Sequence, residues 1–304
     1  MGDEKSYKTI REKEERNKNR GIDSLVFTPD GKYIIITAQY NAIEIWEIES
    51  GNLFKTIVVN KKLNGTVYFV KITPDGRNII TASMNGKLKV FDFITDQLIW
   101  SFKTIGTMNR VDVSKSGRYI MTFSYMYPRI HILDFLKREL IQKLKVDRIV
   151  EALAISSDED HFLFGGENKR IDIWSLSNNS IIRSLKTKKM GSILSVVVDS
   201  NMKYIVSGAW NKKIRVWDFL TGDLIRTIDG HTGWVNSVII SPDDKYIISG
   251  SLDKTIKIWE LTTGQLVKTF KGHNGSVNAL ALSPDGKYIA SGSSDMTIKI
   301  WLMI

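Results

Sequence analysis

The chain of 304 residues is 42% hydrophobic and 25% charged, contains no cysteine and carries a net charge of +10. That composition excludes a disordered or fibrous chain, a disulfide framework and a thiolate metal site. The surplus of lysine and arginine serves either as ordinary solvation or to attract an acidic partner, a nucleic acid or an anionic surface.

The first twenty residues, MGDEKSYKTIREKEERNKNR, are polar and charged. They lack the apolar core of roughly 7–15 residues that a secretory signal needs, and no later run approaches the roughly 18 apolar residues of a membrane span. The expectation is a cytoplasmic protein without membrane insertion. From there on the chain repeats itself. Alternating runs close on an aromatic or apolar anchor at Trp46, Phe91, Leu133, Trp174, Trp217, Trp259 and Trp301, at successive spacings of 45, 42, 41, 43, 42 and 42. Only a structural repeat holds such a register along a whole chain.

Each unit has one grammar, seen most plainly in the sixth. Val235, Ser237 and Ile239 begin a strand, and the turn Ser241–Asp244 ends it. KYIISGS is a second strand, LDK a tight turn, TIKIWE a third strand with period-two alternation, and QLVKTF a fourth. β-Branched residues and turn signals every 8–12 residues or so argue against helices. Four short strands joined by hairpins make a meander that cannot bury both its faces alone. The expected fold is therefore all-β, over residues 1–304: one seven-bladed propeller of four-stranded antiparallel sheets. The last unit stops after its third strand. Tyr7-Lys8-Thr9-Ile10 matches the fourth strands Phe54–Ile57, Ile225–Ile228 and Val267–Phe270, so residues 6–11 are expected to complete the last blade and close the ring.

These residues carry a resemblance to the WD-repeat β-propellers over essentially the whole chain. Gly230-His231 with Trp259 and Gly272-His273 with Trp301 come nearest the family signature, with Glu260 and Leu302 in place of its aspartate. Trp217-Asp218 keeps the ending without the Gly-His pair; the early units, ending Phe91-Asp92 and Leu133-Asp134, are degenerate. The resemblance implies hydrogen-bonded chains through His231, Ser249, Asp253 and Trp259, and through His273, Ser291, Asp295 and Trp301. It also implies a non-catalytic protein-interaction scaffold.

Little else in the chain reads as chemistry. A Ser, His and Asp together invite a hydrolase reading, but two copies, each with a tryptophan to satisfy, argue for architecture. His131 and His161 have no neighbours at metal-ligand spacing, and Asp158-Glu159-Asp160 lacks the alternation of a calcium loop. No phosphate-binding glycine motif is present. The expectation is no enzyme, no metal and no cofactor.

The meander assigns loops to rims. The turn between second and third strands and the link to the next blade share one rim, the top. That rim collects Lys61, Lys62, Lys143, Lys145, Arg148, Lys186, Lys188 and Lys189 from links and Lys87, Arg129, Lys169, Arg170, Lys212 and Lys213 from turns, with Arg16, Lys18 and Arg20 in the closing link. The bottom turns are richer in aspartate. Large side chains also stand at top positions where turns usually place small polar ones: Tyr40, Met84, Tyr125 and Trp210 in turns, and Tyr68 and Trp234 where first strands begin. The expected partner site is therefore Trp210, Trp234, Tyr40, Tyr68, Met84, Tyr125, Lys188 and Lys189, taking a peptide or protein of acidic character. Nucleic acid bound on the same basic face is the alternative.

Overall fold

The computed structural model describes residues 7–11, 21–39, 41–60, 65–187, 189 and 191–303. The described residues form β-strands and turns, with no helix among them. Seven four-stranded antiparallel sheets stand in a ring. Their first strands are β2 (Leu25–Phe27), β6 (Val67–Ile72), β10 (Met108–Val113), β14 (Val150–Ile155), β18 (Ile193–Val198), β22 (Val235–Ile240) and β26 (Val277–Leu282). Each neighbours the first strands of the blades before and after it, and β26 meets β2, so these strands line a central channel.

The core lies between blades. A sheet with alternating side chains buries one face against the next sheet, as Ile248 and Ile258 do against Val277, Leu280 and Trp301. Ring closure occurs as the repeat requires. β1 (Lys8–Arg11) pairs with β28 (Ile298–Leu302), Lys8 opposite Ile300 and Thr9 opposite Lys299, and completes the seventh sheet. Ile10 is buried in the cluster that joins the last blade to the first. Tyr7, by contrast, is 67% exposed, resting against the Tyr288 ring at 5.6 Å.

Bottom turns hold themselves shut. In Ser241-Pro242-Asp243, the hydroxyl of Ser241 donates to Asp243 at 2.6 Å and accepts from the Tyr246 amide at 2.9 Å. The same arrangement recurs at Ser283 and Asp285. These aspartates are thus occupied by their own turns.

One irregularity recurs at the top. In six blades the first strand carries a bulge just after it begins, between Val67 and Phe69, Met108 and Arg110, Val150 and Ala152, Ile193 and Ser195, Val235 and Ser237, and Val277 and Ala279. The extra residue in each is Tyr68, Asn109, Glu151, Leu194, Asn236 or Asn278, and all six line the channel. A bulge re-aims a side chain; here it turns a ring of side chains toward the channel mouth, with Asp23 in the matching place of the first blade.

Candidate interaction site

The polar chains of blades 6 and 7 are continuous. Trp259 Nε1 donates to Ser249 Oγ at 2.8 Å, Ser249 Oγ meets His231 Nε2 at 2.7 Å, and His231 Nδ1 meets Asp253 Oδ2 at 2.8 Å. The blade 7 counterpart through Trp301, Ser291, His273 and Asp295 has distances of 2.8, 2.7 and 2.9 Å. Burial alone would raise the Asp253 carboxyl. Hydrogen bonds from His231, Thr255 and the Thr232 amide overcome that and hold it well below the usual carboxylate range. Since the aspartate accepts, His231 Nδ1 donates to it and Nε2 accepts from the serine. Ser249 and Ser291 are fully buried, so neither hydroxyl can reach a substrate. The preceding glycine has a steric cause: at Gly230, with φ +146°, a Cβ would lie 2.7 Å from the Trp259 ring.

Among the described residues no cluster of three or more histidine, aspartate and glutamate side chains is placed to hold a metal. His161 nevertheless has a carboxylate neighbour that spacing did not suggest: its Nδ1 lies 2.8 Å from Asp158 Oδ2, in the bottom turn. His131 is buried without a partner for Nδ1 among the described residues.

The top rim brings several expected residues together. Trp210 lies in the turn after Ala209, its amide bonded to the Ser192 carbonyl at 2.9 Å. Trp234 precedes β22 in the next blade. Their rings stack, with centroids 4.7 Å apart and planes 13° from parallel, and each stays about 40% exposed at 42% and 41%. Leu252, also exposed, is tied to Trp234 through a 2.9 Å bond from its amide to the Trp234 carbonyl. Across the mouth stand Tyr125, exposed, and Tyr68, half-buried; both line the channel with Trp234 and Leu252. The channel encloses about 980 Å³. Tyr40, Lys188, Lys61, Lys62, Arg16, Lys18 and Arg20 lie outside the described residues.

Sequence reasoning missed part of this surface. Ile105, Met126 and Tyr127 are 70%, 68% and 55% exposed beside Met84 and Tyr125. Gly106 and Met126 are nearly in contact, since a Cβ on Gly106 would meet that of Met126 at 2.6 Å. The link Thr104–Gly106 also abuts Gly86, so blades 2 and 3 share one apolar patch. The signal was available: Tyr125-Met126-Tyr127-Pro128 is a longer, apolar turn where other repeats have a short polar one.

The basic rim is weaker than the lysine count suggests. Arg148 and Arg170 both hold Asp172, at 2.8 and 2.9 Å, and Lys213 pairs with Asp229. Lys143 and Lys145 belong to the strand Glu139–Lys145, and Lys186 ends the strand Ser180–Lys186, so none of the three is in a link. Lys189 is exposed, while its carbonyl accepts from Asn211 and Arg215 at 2.7 and 2.9 Å.

Comparison with known proteins agrees with this architecture. The family described as WD domain, G-beta repeat matches residues 57–92, 179–218, 222–260 and 264–301. Among curated proteins, the chain is 23% identical over 199 residues to the U3 small nucleolar RNA-associated protein 18 homolog of Mus musculus, covering 62% of this chain and 34% of that protein. It is 30% identical over 162 residues to Autophagy-related protein 16 of Arabidopsis thaliana, covering 51% and 31%. It is 26% identical over 164 residues to the pre-mRNA-splicing factor cwf17 of Schizosaccharomyces pombe, covering 54% and 48%. The matched stretch thus spans a third to a half of the length of these relatives.

Proposed function

Because this chain belongs to the WD-repeat family of β-propellers, we propose that it is a non-catalytic scaffold that binds a protein or peptide on its top face. The observation that carries this reading is the stacked Trp210–Trp234 pair, exposed beside an open channel mouth. Two large rings already held against one another lose little entropy on binding, and tryptophan is enriched among interface hot spots. The fold does not need these rings for its core, because the buried indoles are Trp217, Trp259 and Trp301. Met84, Tyr68 and Tyr125 extend the surface across the mouth. Exposed Lys189, with Lys188 beside it in sequence, would steer an acidic segment of the partner toward this face.

The test is affinity capture from native lysate with the wild type and with the Trp210→Ala/Trp234→Ala variant, whose melting temperature is expected to stay unchanged. Loss of partners, with affinity weakened by about 2 kcal/mol or more, supports the reading. An unchanged partner set and affinity would mean that the site lies on another face.

A second reading, nucleic acid on the same surface, draws on the aromatic platform with nearby lysines and on relatives named for small nucleolar RNA and pre-mRNA splicing. Salt separates the two readings. Release of counterions from several phosphates gives a steep linear fall of log affinity with log salt concentration, which a peptide held mainly by aromatic burial does not show.

A further inference from the structure

The lysines of the outer rim and the groups at the channel mouth differ in sign. In the ring of channel-facing residues made by the bulges, the charged members are Asp23 and Glu151; the others are Tyr68, Asn109, Leu194, Asn236 and Asn278. Just beyond, Glu167 on the top turn of blade 4 is close enough for its charge to act on Glu151. Deeper in, Lys71 is paired with Asp112 at 2.9 Å.

The cation nearest this ring is sequestered. Arg110 is buried, lies 4.5 Å over the Phe69 ring, and donates to main-chain oxygens: Nε to the Glu151 carbonyl and Nη1 to the Asn109 carbonyl at 2.9 Å. It therefore braces the two neighbouring strands and does not clasp the Glu151 carboxylate. Among the described residues no cation forms an ion pair with that carboxylate, and its one printed hydrogen-bonding neighbour is Ser192 Oγ at 3.5 Å. Burial, opposed by Arg110 and assisted by Glu167, pushes the Glu151 carboxyl up. In the adjacent blade, Asn109 Oδ1 is buried and accepts no hydrogen bond among the described residues. Two acceptors thus face the same channel from neighbouring blades, both short of donors, and a buried acceptor left unmatched is costly.

We propose that the channel mouth receives a cationic side chain, an arginine or lysine presented by an extended segment of the partner, with Glu151 and Asn109 as its acceptors. The aromatic residues around the mouth then hold the apolar residues on either side of it in the segment. An ammonium or guanidinium supplies several N–H donors and a positive charge at once, which is what a carboxylate beside an orphaned amide oxygen lacks. An anionic side chain at the same depth would face Glu151, Asp23 and Glu167 with no compensating donor. This inference deepens the top-face reading and rests on it. It also divides the surface by sign, with outer lysines that attract and orient an acidic stretch and a centre that selects a basic residue.

The experiment is selection of a random peptide library displayed on phage against the full chain, followed by affinity measurement of individual synthetic peptides. The expected winners carry arginine or lysine between apolar residues. Glu151→Gln is expected to weaken them about tenfold, the loss of one charge-assisted hydrogen bond. Asn109→Asp adds negative charge at the mouth and is expected to strengthen them, so a merely misfolded Glu151→Gln protein cannot imitate the whole pattern. Acidic or uncharged winners, basic winners indifferent to Glu151→Gln, or no winners at all would overturn the proposal. Winners lost on the Trp210→Ala/Trp234→Ala variant yet indifferent to Glu151→Gln overturn only the cation assignment. Winners that bind that tryptophan variant unchanged overturn the top-face reading itself.

Discussion

In blade 6 the top turn is polar and its side chains point inward. Asp253 takes hydrogen bonds from His231, Thr255 and the Thr232 amide, and the chain runs on through Ser249 to the indole of Trp259. In blade 3 the corresponding turn is Tyr125-Met126-Tyr127-Pro128, and its side chains point out. The third strand of that blade ends on Leu133, not on tryptophan, so there is no indole N–H to satisfy and no need for the histidine and aspartate that satisfy it elsewhere. His131, on that strand, is packed against Phe102 with ring centroids 5.6 Å apart. The two blades fold alike by different means. A blade closed by a buried polar chain has its top turn committed to stability, whereas a blade closed by apolar packing leaves its top turn available for contact. Degeneracy of the repeat signature in the early blades therefore coincides with exposed apolar surface.

The largest effect expected lies outside both blades and sets the scale for comparing them. Deleting residues 1–11 removes β1 and with it the outer strand of blade 7. The loss includes several backbone hydrogen bonds at about 0.5–1.5 kcal/mol each and the burial of Ile10 at about 1.5–3 kcal/mol. It also removes the bond from Lys8 Nζ to the Ile48 carbonyl at 3.0 Å, which ties the closing strand to the first blade. Tyr7 contributes little, being exposed. A destabilisation of about 4 kcal/mol or more, read as a large drop in melting temperature or as aggregation, is expected. An unchanged melting temperature would show that the ring does not depend on this strand.

Within the comparison itself, Asp253→Ala should destabilise by about 1–3 kcal/mol, because it strands a buried imidazole and a threonine hydroxyl. Met126→Ala, at an exposed position of the corresponding turn, should change stability by less than about 0.5 kcal/mol. Urea unfolding of the two variants measures both. Equal losses would erase the distinction between a committed turn and an available one.

The smallest effect sharpens the picture of blade 3. Burial, and then the charges of Lys143 and Arg129, lower His131 from 6.5 to about 4. On acidification the unfolded chain takes up this proton before the folded one does. The stability tied to neutral His131 is therefore complete above about pH 6.5 and is lost as the pH falls toward about 4. Between pH 7 and 5 the loss should be about 2 kcal/mol, by urea midpoints at the two values. His131→Phe, which cannot protonate, should be less sensitive to pH by that amount. Identical pH dependence in the two proteins would mean that His131 is already compensated when charged.

Much of the architecture could be read in the residues because the repeat is local. Alternation in TIKIWE, proline and aspartate in the bottom turns, and a fixed spacing between anchors all act within one blade, so one unit explains the next. Closure was legible too, since Tyr7-Lys8-Thr9-Ile10 carries the pattern of the fourth strand that the last unit lacks. The glycine before His231 could be recognised by its place in the repeat, although its cause, an indole ring against its backbone, appears only in three dimensions.

The surface followed other rules, because its partners come from different blades. The Trp210–Trp234 stack, the contact of Gly106 with Met126, and the bracing of Arg110 against the Glu151 carbonyl all join residues about 20–40 positions apart. Counting lysines gave a uniformly basic top, but Arg148, Arg170 and Lys213 are neutralised by Asp172 and Asp229. The sequence by itself determined that this chain is a ring of seven blades and which strand closes it, since strand alternation and turn chemistry operate over a few residues. Only the tertiary structure decided which side chains reach the mouth and with what charge. That depends on a one-residue bulge in each first strand and on pairing between neighbouring blades, neither of which has a signature within a single repeat.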